Sequence, residues 1–106
     1  MKSIITGLLV AAGLMVAGGA SAVDMPKLAK DRGCVACHAI GKKGVGPDWM
    51  EVSQKYKGDA TAEAKLSEKV AKGGVGVWGK MPMPANPKVT PAEMKELITF
   101  VLGLAK

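Results

Sequence analysis

The 106-residue chain predicts an all-α fold of about four short helices joined by Gly/Pro-rich loops. Three observations carry that prediction. No segment sustains the apolar–polar alternation of a half-buried strand. A capped amphipathic helix closes the chain, opened by Thr90-Pro91-Ala92-Glu93. Glycine and proline gather in two stretches, Gly41–Pro47 and Gly73–Pro87, which separate helical segments instead of interrupting them.

The elements follow in order. Residues 1–22 are expected to be a cleaved secretory signal. Lys2 is the only charge before Asp24, Ile4–Val16 is apolar, and Ala20-Ser21-Ala22 ends the stretch as a small-residue cleavage site. Cleavage after Ala22 leaves one domain, residues 23–106. The rival reading is an uncleaved anchor, since Ser3–Val23 carries no charge. Both readings export the rest of the chain.

Within that domain Pro26–Arg32 can form a short helix, and Gly33 then sits where two backbones could approach closely. Asp48, just after Pro47, reads as an N-cap with Glu51 as its capping partner. Its helix would carry Trp49, Met50, Val52 and Tyr56 and end near Gly58. The next helix spans Asp59–Lys72, with Ala62, Leu66 and Val70 recurring every four residues, and Gly73-Gly74 stop it. The last combines Thr90 as N-cap, Pro91 at its first position and Glu93 as the capping-box acid. Met94, Leu97, Ile98, Val101, Leu102 and Ala105 then form one apolar, core-facing stripe.

Composition narrows the function. Two Cys cannot build a multi-disulfide scaffold or a four-thiolate zinc site, and one His excludes a site that needs two imidazoles. Aromatics are only 4% of the chain: Trp49, Tyr56, Trp78 and Phe100. A domain this small buries a modest core and needs help from a disulfide, a metal or a cofactor. A loop as long as Gly73–Pro87 also signals function in a compact domain.

The chemistry sits at Cys34-Val35-Ala36-Cys37-His38. C-x-x-C-H is the attachment pentad of c-type haem. A two-residue gap on a helical turn puts both sulfurs on one side, where each can form a thioether. The following imidazole can then ligate the iron. A thioredoxin-like reading would expect strands, and zinc would lack a fourth ligand. A sixth iron ligand cannot be a second His, and protonated Lys is a poor ligand. Thioether sulfur suits reduced iron. Met25 lies beside the new terminus, and Met50 and Met94 fall in predicted helices. Met81 and Met83 remain, on a loop stiffened by Pro82 and Pro84.

Here the residues match a family. The pentad, Val45-Gly46-Pro47, Gly76-Val77-Trp78-Gly79, Pro82-Met83-Pro84 and Asn86 closely resemble the small class I cytochromes c of bacteria, of the cytochrome c-551/c-552 type, also called cytochrome c8. The likeness runs over essentially all of Val23–Lys106. It implies the class I cytochrome c fold around one covalently bound haem c. It implies that Cys34 and Cys37 carry the thioethers and that His38 and Met83 are the axial ligands. Pro47 would accept the His38 ring N–H, Trp78 would reach a haem propionate, and Asn86 would hydrogen-bond near the Met83 sulfur. Met81 falls where the family usually has an aliphatic residue, and Phe100 and Ala85 replace a common Trp and Pro.

A haem with both axial positions filled by protein argues for electron transfer, not catalysis. The expected function is a periplasmic one-electron carrier between respiratory partners, and not an enzyme. The resemblance suggests a quinol–cytochrome c oxidoreductase upstream and a terminal oxidase, nitrite reductase or cytochrome c peroxidase downstream. The formal charge of +6 suits acidic docking patches. Lys27, Lys30, Lys42, Lys43, Lys80 and Lys88 flank the haem motifs, although a solvated surface explains any one of them. A monomer is expected, with no nucleic acid and no membrane span after cleavage. Two other classes stand beside the carrier. One is a haem peroxidase or gas sensor with a dissociable sixth ligand. The other is a haem-free module with a Cys34–Cys37 disulfide.

Overall fold

A computed structural model describes residues 23–105 and places four α-helices in them. They are α1 (Lys27–Asp31), α2 (Trp49–Lys55), α3 (Ala62–Lys72) and α4 (Pro91–Leu102), with a single 3-10 turn at Cys34–Ala36. The described residues contain no strand, only an isolated antiparallel bridge between Gly74 and Met83. The signal expected over residues 1–22 lies outside the described residues. Among the described residues, no helix is long and apolar enough to cross a membrane.

α4 begins as its sequence demands. Thr90 Oγ1 accepts from the Glu93 N–H, the Glu93 side chain accepts from the Thr90 N–H, and Pro91 fills a position whose N–H would have no helical partner. Its apolar stripe buries Met94, Leu97, Ile98 and Val101. Each such side chain contributes about 1.5–3 kcal/mol by leaving water. Ala29, Trp49, Val52, Leu66 and Val89 complete the core around them. Helices α1, α2 and α3 each pack on α4, and none of the three packs on another.

The boundaries depart from the sequence expectation where side chains compete for backbone groups. α3 starts at Ala62, not Asp59, because Asp59 Oδ1 accepts from the Thr61 N–H at 2.8 Å and the Thr61 hydroxyl at 2.6 Å. Such a local bond offers the backbone an alternative to the helix. α2 ends at Lys55, and Tyr56–Gly58 turn out of it. α4 stops at Leu102 before reaching Ala105. Ser53, only 1% exposed, explains that ending: its hydroxyl donates to the Leu102 carbonyl and accepts from the Ala105 N–H. Gly33 also corrects the expectation. Its φ of +78° is left-handed, but a Cβ there would meet nothing within 4 Å. It serves the turn into the pentad, not a close approach of two backbones.

Candidate functional site

The pentad folds as a tight turn at the end of α1. The Cys37 and His38 N–H groups both donate to the Cys34 carbonyl, at 3.2 and 2.9 Å. That turn places Cys34, Cys37 and His38 on the wall of one cavity of about 380 Å³. Its size is within the range of small-molecule and cofactor sites, about 300–1,000 Å³. Both cysteines are half-buried. Burial pushes the Cys34 thiol above its ordinary value of 9.0, opposed in part by a backbone hydrogen bond.

His38 is fixed from two sides. Its Nδ1 lies 2.9 Å from the Pro47 carbonyl oxygen, and a carbonyl can only accept, so Nδ1 carries the proton. The lone pair of the neutral ring is therefore on Nε2. Gly46 leaves room for the ring, since a Cβ there would stand 2.7 Å from Cε1 and 3.1 Å from Nδ1. Behind the imidazole, the Trp49 ring has its centroid 5.6 Å away, and Phe100 meets Trp49 edge-on at 6.1 Å. These spacings are those of tilted and edge-to-face aromatic pairs.

The long loop supplies the other wall. Met83 exchanges two backbone hydrogen bonds with Gly74, at 3.0 and 2.8 Å, and its side chain lines the cavity. Gly73 allows this. It ends α3 with φ +77°, and a Cβ there would lie 2.5 Å from the Met83 carbonyl oxygen. Asn86 ties the loop down twice: its N–H donates to the Val70 carbonyl at 2.8 Å, and its side-chain Nδ2 donates to the Arg32 carbonyl at 3.0 Å. Met81 also lines the cavity but is 66% exposed. Trp78 lines it too and is 40% exposed, so it is no core aromatic. Lys55 Nζ stands 5.7 Å from the Trp78 ring centroid, within reach of a cation–π contact.

All seven residues singled out in the sequence thus border the same cavity: Cys34, Cys37, His38, Pro47, Trp78, Met83 and Asn86. Sequence reasoning missed Arg32, which also lines it. Arg32 forms a two-pronged ion pair with Glu93, at 2.6 and 3.1 Å. The pair joins the end of α1 to the start of α4. The Arg32 hydrogen bond, followed by that from the Thr90 N–H, holds the Glu93 carboxyl down at about 2. The Arg32 guanidinium is raised in turn. The six lysines that flank the haem motifs are all exposed.

The cavity fits a haem in its donors as well as its lining. Soft thioether sulfur, a neutral imidazole and paired thiols share a largely apolar wall, which is the setting of a c-type haem protein. Comparison with known proteins agrees. The sequence profile of the family described as Cytochrome c matches residues 22–105, and the chain belongs to that family. It is 47% identical over 95 residues to cytochrome c-551 of Pseudomonas aeruginosa, covering 90% of each chain. It is 39% identical over 104 residues to cytochrome c-552 of Nitrosomonas europaea, covering 98% of this chain and 99% of that one. The crystal structure of wild-type Nitrosomonas europaea cytochrome c552 superposes with a TM-score of 0.71 at 40% identity, covering 74% of this chain and 96% of that one. The expected class I cytochrome c fold is therefore present. The chain is a small monohaem electron carrier with covalently bound haem c and its iron.

Proposed function

We propose that the protein is a periplasmic shuttle carrying single electrons between respiratory partners, and that it catalyses no reaction of its own. In this reading residues 1–22 are a cleaved export signal and residues 23–106 the working domain. Cys34 and Cys37 hold the haem by thioethers. His38 and Met83 fill the two axial positions.

The carrying observation is the His38–Pro47 hydrogen bond, which leaves the Nε2 lone pair for iron on the wall of the cavity that Met83 also lines. Met83 is preferred to Met81 because its backbone is paired with Gly74, whereas Met81 is mostly exposed. A weak iron–sulfur bond needs a ligand already held in place. When bound, the haem supplies a one-electron ferric–ferrous couple, and Met/His ligation sets its potential high. Pro47 fixes the ring tautomer. Trp78 and Asn86 line the pocket, Trp78 toward a propionate, while the Asn86 amide, expected near the Met83 sulfur, instead donates to the Arg32 carbonyl and ties the Met83 loop to the end of α1.

A filled coordination sphere leaves no seat for substrate, which speaks against peroxidase or gas-sensing chemistry. The partners proposed are a quinol–cytochrome c oxidoreductase upstream and a terminal oxidase, nitrite reductase or cytochrome c peroxidase downstream. They would be met as a monomer through small transient interfaces. The exposed lysines would speed encounter with acidic patches. The test is an absorption spectrum of the exported protein, oxidised and reduced, with an intact mass. Added haem mass, a low-spin spectrum and the weak red band of Met–iron bonding are expected. A ferric spectrum without that band sinks the carrier reading, and a chain without haem mass sinks the site.

A further inference from the structure

The chain between the pentad and α2 must bring one carbonyl, that of Pro47, back against the His38 ring. Proline has no N–H, so Pro47 cannot anchor itself through a donor. Its neighbours must hold its peptide plane. The Gly46 N–H donates to the Cys37 carbonyl at 2.8 Å, and the Trp49 N–H donates to the Ala39 carbonyl at 3.0 Å. The remaining anchor is the side chain of Asp48, which is only 7% exposed.

Asp48 Oδ1 accepts two backbone N–H bonds, from Met50 at 2.9 Å and from Gly41 at 2.8 Å. The Met50 bond is an ordinary helix N-cap. The Gly41 bond is not part of any cap. It closes the Gly41–Pro47 loop at its base, one residue from the carbonyl that holds His38. Leaving such a buried carboxylate without its donors would cost more than losing an exposed pair.

We propose that Asp48 is a positioning residue for His38. By tying Gly41 to the start of α2, it fixes the Pro47 carbonyl against the imidazole and so sets how strongly His38 donates to the iron. The inference rests on the reading of His38 as an axial ligand. A firmer bond at Nδ1 makes the ring a more basic ligand and favours the ferric state. A looser one raises the potential.

The test compares Asp48→Asn with Asp48→Ser in the haem-loaded protein. Both are uncharged, so the loss of charge cancels between them. Asn keeps an acceptor for both N–H groups. Ser keeps the N-cap but is too short to reach Gly41. In the reduced protein, NMR reads the exchange rate of the His38 Nδ1 proton, and voltammetry reads the potential. Exchange in the Ser variant should be about fivefold faster than in the Asn variant, the scale of one lost neutral hydrogen bond. Exchange in the Asn variant should lie between wild type and the Ser variant, and the Ser variant should have the higher potential of the two. If the variants match each other in both readouts while the wild type shows Met/His ligation, the role of Asp48 alone is overturned. A wild-type spectrum without His ligation overturns this inference together with the functional reading beneath it.

Discussion

Gly73 and Met83 meet backbone to backbone, so closely that a Cβ on Gly73 would lie 2.5 Å from the Met83 carbonyl oxygen. The neighbour is main chain and cannot rotate aside. The φ of +77° at Gly73 adds strain for any other residue. Gly73→Ala should therefore cost at least about 1–3 kcal/mol, the usual scale of left-handed strain. Urea denaturation of the holoprotein measures the loss. Because the displaced atoms belong to Met83, the red band should weaken as well. A variant of unchanged stability would mean the loop passes α3 with more room than described.

Met81 and Met83 stand two residues apart on the same stiff loop and differ in how they are held. Met83→Ala should abolish the Met–iron band and lower the reduction potential. Met81→Ala should leave both nearly as they are, since its side chain is mostly in water. The opposite result would move the sixth ligand to Met81.

Gly46 has the His38 ring for a neighbour. Gly46→Ala places a Cβ 2.7 Å from Cε1, so the ring must turn and the Nδ1–Pro47 bond must lengthen. The expected outcome is a shifted axial-histidine NMR signature and faster exchange of the Nδ1 proton. Gly58→Ala is the control, because its φ of +80° is strained too but nothing lies within 4 Å of the new Cβ. It should lower stability and leave the histidine spectrum alone.

Acid should act through the Arg32–Glu93 pair. The Glu93 carboxyl falls from its ordinary 4.5 to about 2 on folding, chiefly through the Arg32 hydrogen bond. A depressed carboxylate stabilises the fold fully above its unfolded value and loses that contribution as pH drops through the folded one. Denaturant midpoints should therefore decline between about pH 5 and pH 2. Glu93→Gln should flatten that decline and be less stable at pH 7. Asp59, lowered to about 2 by Thr61 and Lys65, titrates in the same window and is the background to subtract. A Glu93→Gln profile parallel to wild type would show that the pair adds nothing.

The parts of the site that could be read from the sequence are those whose partners are neighbours in the chain. The pentad and the Thr90–Glu93 capping box each carry their geometry within a few residues, whereas the choice of Met83 over Met81 rests on the family resemblance. Long-range partners leave no such trace. Arg32 and Glu93 lie 61 residues apart, and neither has a local pattern that names the other. Lys55 gives no hint that it will stand over Trp78. Ser53 reads as a plain helical position, yet it decides where α4 ends. The early start expected for α3 failed on a side chain: Asp59 bonds its own following turn, and periodicity cannot register that competition.

The packing of α1, α2 and α3 on α4 alone has a topological consequence. As a graph of helix contacts the fold is a star, not a ring, with its centre at the C-terminal end of the chain. A ring survives the loss of one edge, but a star loses every edge with its centre. Trimming the chain before Thr90 would strip each remaining α-helix of its only α-helical neighbour at once. Such a chain would also lack Leu97, Ile98 and Val101 on the cavity wall, so α4 decides whether the other helices have anything to assemble on.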